Sequence, residues 1–329
     1  VLIRPPPRFM NILFVKLGAL GDVVNTLPLA VCLHRRLSAR IDWLVEPFSH
    51  PIVSGHPSVR RAIVFERRRW RTALPKVVGQ LRERSFDAVL DLQRTLKSGG
   101  FTMAAKAERR IGFDRARCKE MTWLLPFERI APSNPARHMV HQYLDFAQYL
   151  GVNRPDIEWG IDCGQAPPDA LPPGYAVLNI GATKPANRWP ARNWAALAGR
   201  LWDRHRMPSV LTGGREDAPL ADRVVAAAPP SLCNLVGQTD ISQLVYVLEN
   251  ASVVVTGDTG PMHLAVALKA PVVALFGPSD PRRTGPFKGR VVRAAADCAP
   301  CNRRTCPDPF CMRQIETGPV LAQVEAILR

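Results

Sequence analysis

Short, continuous apolar runs that alternate with helix-length amphipathic stretches constrain this chain more than anything else in it. In the first half the series reads "NILFVKL" then a helix over 22–37, "IDWLVE" then a proline-rich loop, "RAIVF" then 73–84, and "DAVLDLQ" then 96–107. A strand that is apolar on both faces must be covered on both faces, which helices flanking a parallel sheet achieve. A helical "HMVHQYLDFAQYLG", 138–151, ends the series. The stretch "NRPDIEWGIDCGQAPPDALPPG" then has the proline and glycine density of a linker. A second series follows: "YAVLNIGA" and a helix over 193–205, "PSVLTGG" and 217–227, "SVVVTGD" and 261–269, then "APVVALFG". The segment "PVLAQVEAIL", 319–328, is a closing helix. At 329 residues the chain is long enough for two domains. The expected division is a first domain over 10–160, a linker over 161–173, a second domain over 174–315 and a C-terminal helix over 316–329. Two doubly wound α/β domains facing a cleft are the expected product, with ligands at the carboxyl ends of the strands.

The first strand runs into "KLGALGDVVNTLPLA", 16–30. Gly18 and Gly21 resemble a strand-to-helix phosphate cradle, in which free backbone N–H groups and the helix dipole favour an anion. Here Asp22 already supplies the anion, and the G-x-x-G-D spacing matches neither the dinucleotide fingerprint nor the P-loop. A bound phosphate would be repelled. On this stretch alone, Asp22 reads as a helix cap.

The second half carries the sharper motif, "VVVTGDTGPMHLAVALKAPVVALFGPSDP", 253–281. Pro261 suits the first helical position, with Thr259 and Gly260 at the cap. Backbone N–H groups around Gly260 to His263, with the Thr259 hydroxyl, would cradle a phosphate or diphosphate. Asp258 would hold a sugar hydroxyl or orient a loop amide. His263 is either an oxyanion donor or simple packing. In "GATKPANRWP", Thr183, Lys184 and Arg188 would clamp the same anion. Glu216, in "LTGGRED", would accept from ribose hydroxyls or serve only as a helix-start acid.

The net charge is +16, and the basic excess is larger in residues 1–165 than in the rest. Such an excess suits nucleic acid, acidic lipid or a phosphorylated substrate. The densest run, "ERRRWR", comes without any nucleic-acid-binding signature. No run of ~18 apolar residues is present to span a bilayer, and "VLIRPPPRF" lacks the apolar region of a signal peptide. A soluble, cytoplasmic protein is the expectation. Eight cysteines suit that compartment when reduced or metal-bound. Four of them, Cys298, Cys301, Cys306 and Cys311, are spaced as C-x₂-C-x₄-C-x₄-C, which reads as a reduced or zinc-bound loop clasp before a redox switch. Cys32, Cys118, Cys163 and Cys233 read as packing. No Asp-x-Asp occurs in the sequence, so the carboxylates that usually hold a diphosphate-bridging metal are missing and no metal or cofactor is expected.

With these pieces in place the chain resembles glycosyltransferase family 9, the heptosyltransferases of the lipopolysaccharide inner core. The likeness runs from about Asn11 to Arg313 through "ILFVKLGALGDVVNTLPL", "DLQRTLKSG", "RIGFD", "GATKPANRWP" and "GDTGPMHLAVALKAPVVALFGPSDP". It implies a GT-B fold of two Rossmann-like domains, the first binding the acceptor and the second the nucleotide-sugar donor. It implies that Asp22 is the catalytic base, that the donor is ADP-L-glycero-D-manno-heptose, and that the acceptor is the phosphate-rich lipid A and Kdo core. Asp258, Thr259, Gly260 and His263 match the donor-diphosphate motif, and Glu216 falls at a ribose or adenine contact. Asn187 departs from the family's common Lys at that position, and Lys184 is the candidate replacement for its charge. Acceptor phosphates and carboxylates would meet Gly21, Arg61, Lys97, Arg109, Arg110 and Arg137.

The implied reaction is an inverting, metal-independent transfer at the cytoplasmic face of the inner membrane, which the basic first domain would touch peripherally. Rival readings are a GT-B enzyme with another donor or acceptor, a sugar-nucleotide epimerase, a nucleic-acid binder and a catalytically silent family member. Asp22 argues against the epimerase, since a donor-only reaction has no acceptor to activate. Only charge supports nucleic acid, so no nucleic-acid partner is expected.

Overall fold

A computed structural model of the protein describes residues 9–168 and 170–329. The leader, apart from Phe9, lies outside the described residues, as does Asp169 of the expected linker. Two units divide the chain between Asp162 and Cys163.

The first unit is built on a six-stranded sheet of β1 (Asn11–Val15), β2 (Arg40–Val45), β3 (Val59–Val64), β4 (Phe86–Asp91), β5 (Ala107–Gly112) and β6 (Glu128–Arg129). All pairs are parallel and the spatial order is β3-β2-β1-β4-β5-β6. Ile12 to Val15 and Ala88 to Leu90 are fully buried, as central strands covered on both faces must be. The helix Leu20–Leu37 packs on the helix Met139–Tyr149, and its residues are buried almost all round from Leu20 to Leu33. It ends at Ser38, whose left-handed conformation lets the Ala39 N–H reach back to the Leu33 carbonyl.

The second unit repeats the plan with β7 (Ala176–Asn179), β8 (Ser209–Thr212), β9 (Leu232–Asn234), β10 (Val253–Gly257), β11 (Val272–Leu275) and β12 (Arg290–Val292). Its order is β12-β11-β10-β7-β8-β9, again parallel throughout. Counted within each unit, both sheets have the doubly wound order 3-2-1-4-5-6. The core of this unit gathers Leu178, Leu211 and Val255 with Trp189 and Trp194, which meet edge to face at 4.8 Å, and with Met312, Val320 and Val324 of the C-terminal segment.

Several elements differ from the sequence reading. The helix expected over 96–107 ends at Ala104, because Ala105 turns extended and the chain enters β5. The helix expected over 73–84 is Trp70–Arg82. Three further short strands, β6, β9 and β12, and the helix Ile241–Glu249 were not anticipated. That helix is fixed by a capping box in which Asp240 accepts from the Gln243 N–H and Gln243 from the Asp240 N–H.

Candidate functional site

In a doubly wound sheet the chain leaves in opposite directions from the two central strands, and the turns at their carboxyl ends border a crevice. In the first unit those strands are β1 and β4. The turn after β1 carries Gly18 and leads into the helix at Leu20. Asp22 is the third helical residue and Ala19 occupies the cap, so Asp22 is not the N-cap that its position in the sequence suggested. Its carboxylate oxygen Oδ2 lies 3.2 Å from Nζ of Lys16. The Lys16 side chain is 1% exposed, whereas that of Asp22 is 39% exposed. The Lys16 ammonium lies 5.3 Å from the Tyr143 ring centroid, and the Trp43 indole N–H donates to the Lys16 carbonyl. Burial works against the Lys16 charge, but Asp22 and Tyr143 outweigh it and hold the ammonium above the usual lysine value.

The turn after β4 closes the other side of this site. Asp91 is buried, and its carboxylate accepts from the N–H groups of Gln93 and Arg94 at 3.1 and 3.2 Å. Burial pushes its carboxyl up, against those hydrogen bonds. Arg94, at φ +68°, is in the left-handed region that side-chain-bearing residues rarely adopt, and its guanidinium packs over Phe113. Gln93 reaches across to accept from the Gly18 N–H at 3.4 Å. Sequence reasoning passed over Lys16, Asp91, Arg94 and Tyr143. The signal available for Lys16 and Asp91 was a charged residue at the end of a continuous apolar run.

The basic residues expected to meet the acceptor are dispersed. Lys97 pairs with Glu46 at 2.9 Å, and Glu46 borders Gly18, so Lys97 stands beside the Asp22 turn. Gly21 is buried in the first turn of the helix. Arg61 pairs with Glu83, and Arg109 with Glu128 through three hydrogen bonds. Arg110 donates to the carbonyls of Thr102, Ala105 and Ala107. Arg137 pairs with Asp145, which also takes the buried Arg117.

In the second unit the central strands are β7 and β10. Asn179, at the end of β7, donates to Thr256 at 2.9 Å and Thr259 at 3.3 Å and accepts from Thr212. The Thr259 hydroxyl is therefore engaged with Asn179, Thr256 and the Gly257 carbonyl, and Thr259 stands at the cap position of the helix Gly260–Ala267 without its side chain bonding the helix N–H groups. Pro261 is its second residue rather than its first. The opening N–H groups of a helix have no intrahelical acceptor, and the helix dipole adds partial positive charge there. Asp258 is half-buried just before this start, and His263 is buried one turn in.

The loop after β7 completes the arrangement. Gly181 and Gly213 pass so close that a Cβ at Gly181 would lie 3.0 Å from Asp217 and 3.4 Å from the Gly213 Cα. Arg188 donates to Asp217 at 2.9 Å, and Asp217 also accepts from the Gly214 N–H. Burial pushes the Asp217 carboxyl up, with Gly214 and Arg188 opposing. Thr183 is exposed and Lys184 half-exposed on the same loop. Asn187 is buried with its side-chain oxygen unpartnered, and its backbone carbonyl faces Gly257. Glu216 is exposed, its carboxylate folded over the Gly214 Cα. Of the adjacent carboxylates Glu216 and Asp217, sequence reasoning chose the exposed one and missed the one that holds Arg188.

The cysteine segment adjoins this loop. The Arg304 carbonyl accepts from the Ala186 N–H at 3.2 Å, the Pro278 carbonyl from the Asn302 N–H at 2.8 Å, and the Asp308 carbonyl from Cys306 Sγ at 3.0 Å. All four thiols are free, ranging from exposed Cys298 to buried Cys311. Among the described residues no three His, Cys, Asp or Glu are gathered as a metal-ligand set. Hydrogen bonds thus tie the cysteine segment to the loop after β7 and to the loop after β11.

The model of a family described as glycosyltransferase family 9 (heptosyltransferase) matches residues 75–310. Lipopolysaccharide heptosyltransferase 1 of Pseudomonas aeruginosa is 30% identical over 351 residues, covering 97% of this chain and 98% of that protein. The solved structure of the E. coli heptosyltransferase WaaC with ADP matches with a TM-score of 0.80 at 26% identity, covering 97% of this chain and 100% of that one. The same enzyme with ADP-2-deoxy-2-fluoro heptose gives a TM-score of 0.77 at 26% identity, covering 96% and 99%.

Proposed function

Because this chain belongs to glycosyltransferase family 9, we propose that it transfers heptose from ADP-L-glycero-D-manno-heptose to the inner core of lipopolysaccharide, with inversion and without a metal. The carrying observation is that both units place chemistry at their switch points, and of different kinds. One presents a carboxylate, Asp22, paired with a buried ammonium. The other presents a helix start, Gly260, after β10 and, in the loop after β7, the Arg188 guanidinium held by Asp217. The relatives' names and the ADP and ADP-sugar ligands of the solved neighbours support the donor and the product class.

In this reading Asp22 takes the proton of the acceptor hydroxyl as that oxygen attacks the anomeric carbon. The bond from the anomeric carbon to the diphosphate breaks with its electron pair on ADP. Protonation is late, because the hydroxyl becomes acidic only as it bonds to an oxocarbenium-like carbon, and general-base help of this kind supplies ~10²–10⁴-fold. Negative charge developing on the diphosphate meets the N–H groups at Gly260, with Lys184, Arg188 and Thr183. Thr259 holds the helix start through the Asn179 network, and Asp258, His263 and Glu216 border the sugar and nucleoside. The absence of Asp-x-Asp from the sequence supports transfer without a bridging metal.

Lys97, beside the Asp22 turn, is the first unit's best-placed contact for an acceptor phosphate or Kdo carboxylate. Gly21 adjoins Asp22 in the same turn, and Arg61, Arg109, Arg110 and Arg137 are further candidates, each, like Lys97, engaged by a partner within the unit. The acceptor's lipid brings the work to the cytoplasmic face of the inner membrane, where the basic first unit and exposed Trp70 would meet anionic headgroups. Among the described residues no helix is long and apolar enough to cross a membrane. The test is product detection on Kdo-lipid A and heptosylated acceptors with ADP-heptose set against UDP-sugars. Transfer only from ADP-heptose supports the proposal, and transfer only from a UDP-sugar replaces it with a different GT-B transferase.

A further inference from the structure

We propose that Lys16 is a positioning residue for Asp22, a buried ammonium that keeps the carboxylate ionised and aimed while the acceptor excludes water from it. The inference rests on the reading of Asp22 as the base.

The two ends of the Lys16–Asp22 pair differ. Lys16 is locked at the end of β1, enclosed by Tyr143 and with its carbonyl held by Trp43, while the Asp22 carboxylate 3.2 Å away still reaches solvent. The same unit contains a contrasting case. Arg117 and its partners Asp114 and Asp145 are all buried, as expected of an ion pair that ties core elements together. A lysine is almost never fully buried unless paired. Here it is buried at its own expense of hydration to face a carboxylate that is not, which is the arrangement of a fixed counter-charge behind a working group.

The other charged or titratable groups around the pair are Arg94 and Asp91 from the turn after β4, the neutral Tyr143 phenol, and Glu46 beside Gly18. Asp91 is tied to the Gln93 and Arg94 N–H groups, and Glu46 to Lys97. When an acceptor covers Asp22, desolvation favours the protonated carboxyl and would silence the base. The ammonium opposes that by disfavouring the neutral acid. Through the reaction Lys16 keeps its own proton. Asp22 gains one from the acceptor hydroxyl, ADP leaves with the electron pair, and the new carboxylic acid, beside an uncompensated ammonium, releases its proton to solvent.

The experiment is the pH profile of transfer for Lys16→Met and Lys16→Arg, with Asp22→Asn as the reference, thermal unfolding as the control for folding of the first unit and ADP titration as the control for the donor site. For Lys16→Met the expected result is a kcat ~10²-fold lower and an acidic limb moved to higher pH, with ADP affinity unchanged. Lys16→Arg keeps the charge but not the reach, so its limb stays at the wild-type pH while kcat falls ~10-fold. A folded Lys16→Met whose acidic limb and kcat match wild type overturns the proposal. Should that variant fail to fold, Lys16→Arg carries the test, and a wild-type kcat or a moved limb overturns it. If Asp22→Asn transfers at the wild-type rate, the base assignment itself has failed. If Asp22→Asn is inactive and Lys16→Met is unaltered, only the positioning role has.

Discussion

The two units share one strand order and differ at the turn where that order makes its site. At the end of β1 the first unit places charge against charge, with Lys16 facing Asp22 and Asp91 and Arg94 close by. At the end of β7 the second unit places neutral groups, the Asn179 amide bridging the hydroxyls of Thr212, Thr256 and Thr259, behind a helix start. A carboxylate at the first turn repels phosphate and suits proton transfer. A hydroxyl-braced helix start leaves N–H groups outward and attracts phosphate. Under the proposed function one scaffold would serve two opposite electrostatic tasks, the choice resting on a few residues after each central strand.

Substitutions can break that contrast. The largest effect is expected from Asp22→Asn, which should slow transfer ~10²–10⁴-fold in single-turnover assays while leaving the ADP dissociation constant unchanged. Arg188→Ala should weaken ADP ~10–10²-fold by calorimetry, since it removes a charged donor and leaves buried Asp217 without its cation. Asn179→Ala should cost ~1–3 kcal/mol in denaturant unfolding, since the buried Thr212 hydroxyl loses its acceptor and those of Thr256 and Thr259 each lose a donor.

The smallest effect sharpens the contrast by lying outside both turns. Arg109 holds the Glu128 carboxyl below the usual glutamate range through its hydrogen bonds. A depressed carboxyl contributes stability above its unfolded pKa that is lost as pH falls through the folded value. Glu128→Gln should therefore cost under ~1 kcal/mol near neutral pH, because the pair is solvent-screened, and nothing in strongly acidic solution. Thermal unfolding at two pH values checks it.

The central strands were legible because burial on both faces leaves an unbroken apolar run. β5, "AERRIG", was not, since its arginines leave the sheet to bind Glu128 and the carbonyls of Thr102, Ala105 and Ala107, and its pattern reads as the end of a helix. β6, β9 and β12 are two or three residues long and partly exposed, too short to show a period. The helix Ile241–Glu249 carried a signal that the periodicity reading did not use, the Asp240 and Gln243 box. At the sites, motifs marked Asp22 and Gly260, but not what surrounds them. Lys16 and Asp22 are only six residues apart, yet the burial of Lys16 against Tyr143, like the choice of Asp217 rather than Glu216 for Arg188, depends on packing between elements distant in sequence.

The division of labour between the units is tested most directly by titrating ADP into wild type, Asp22→Asn and Arg188→Ala, with heptose transfer measured on the same preparations. The account predicts that Asp22→Asn binds ADP as wild type does yet scarcely transfers, while Arg188→Ala loses ADP affinity. Wild-type transfer by Asp22→Asn, or a loss of ADP binding in it equal to that of Arg188→Ala, would contradict it.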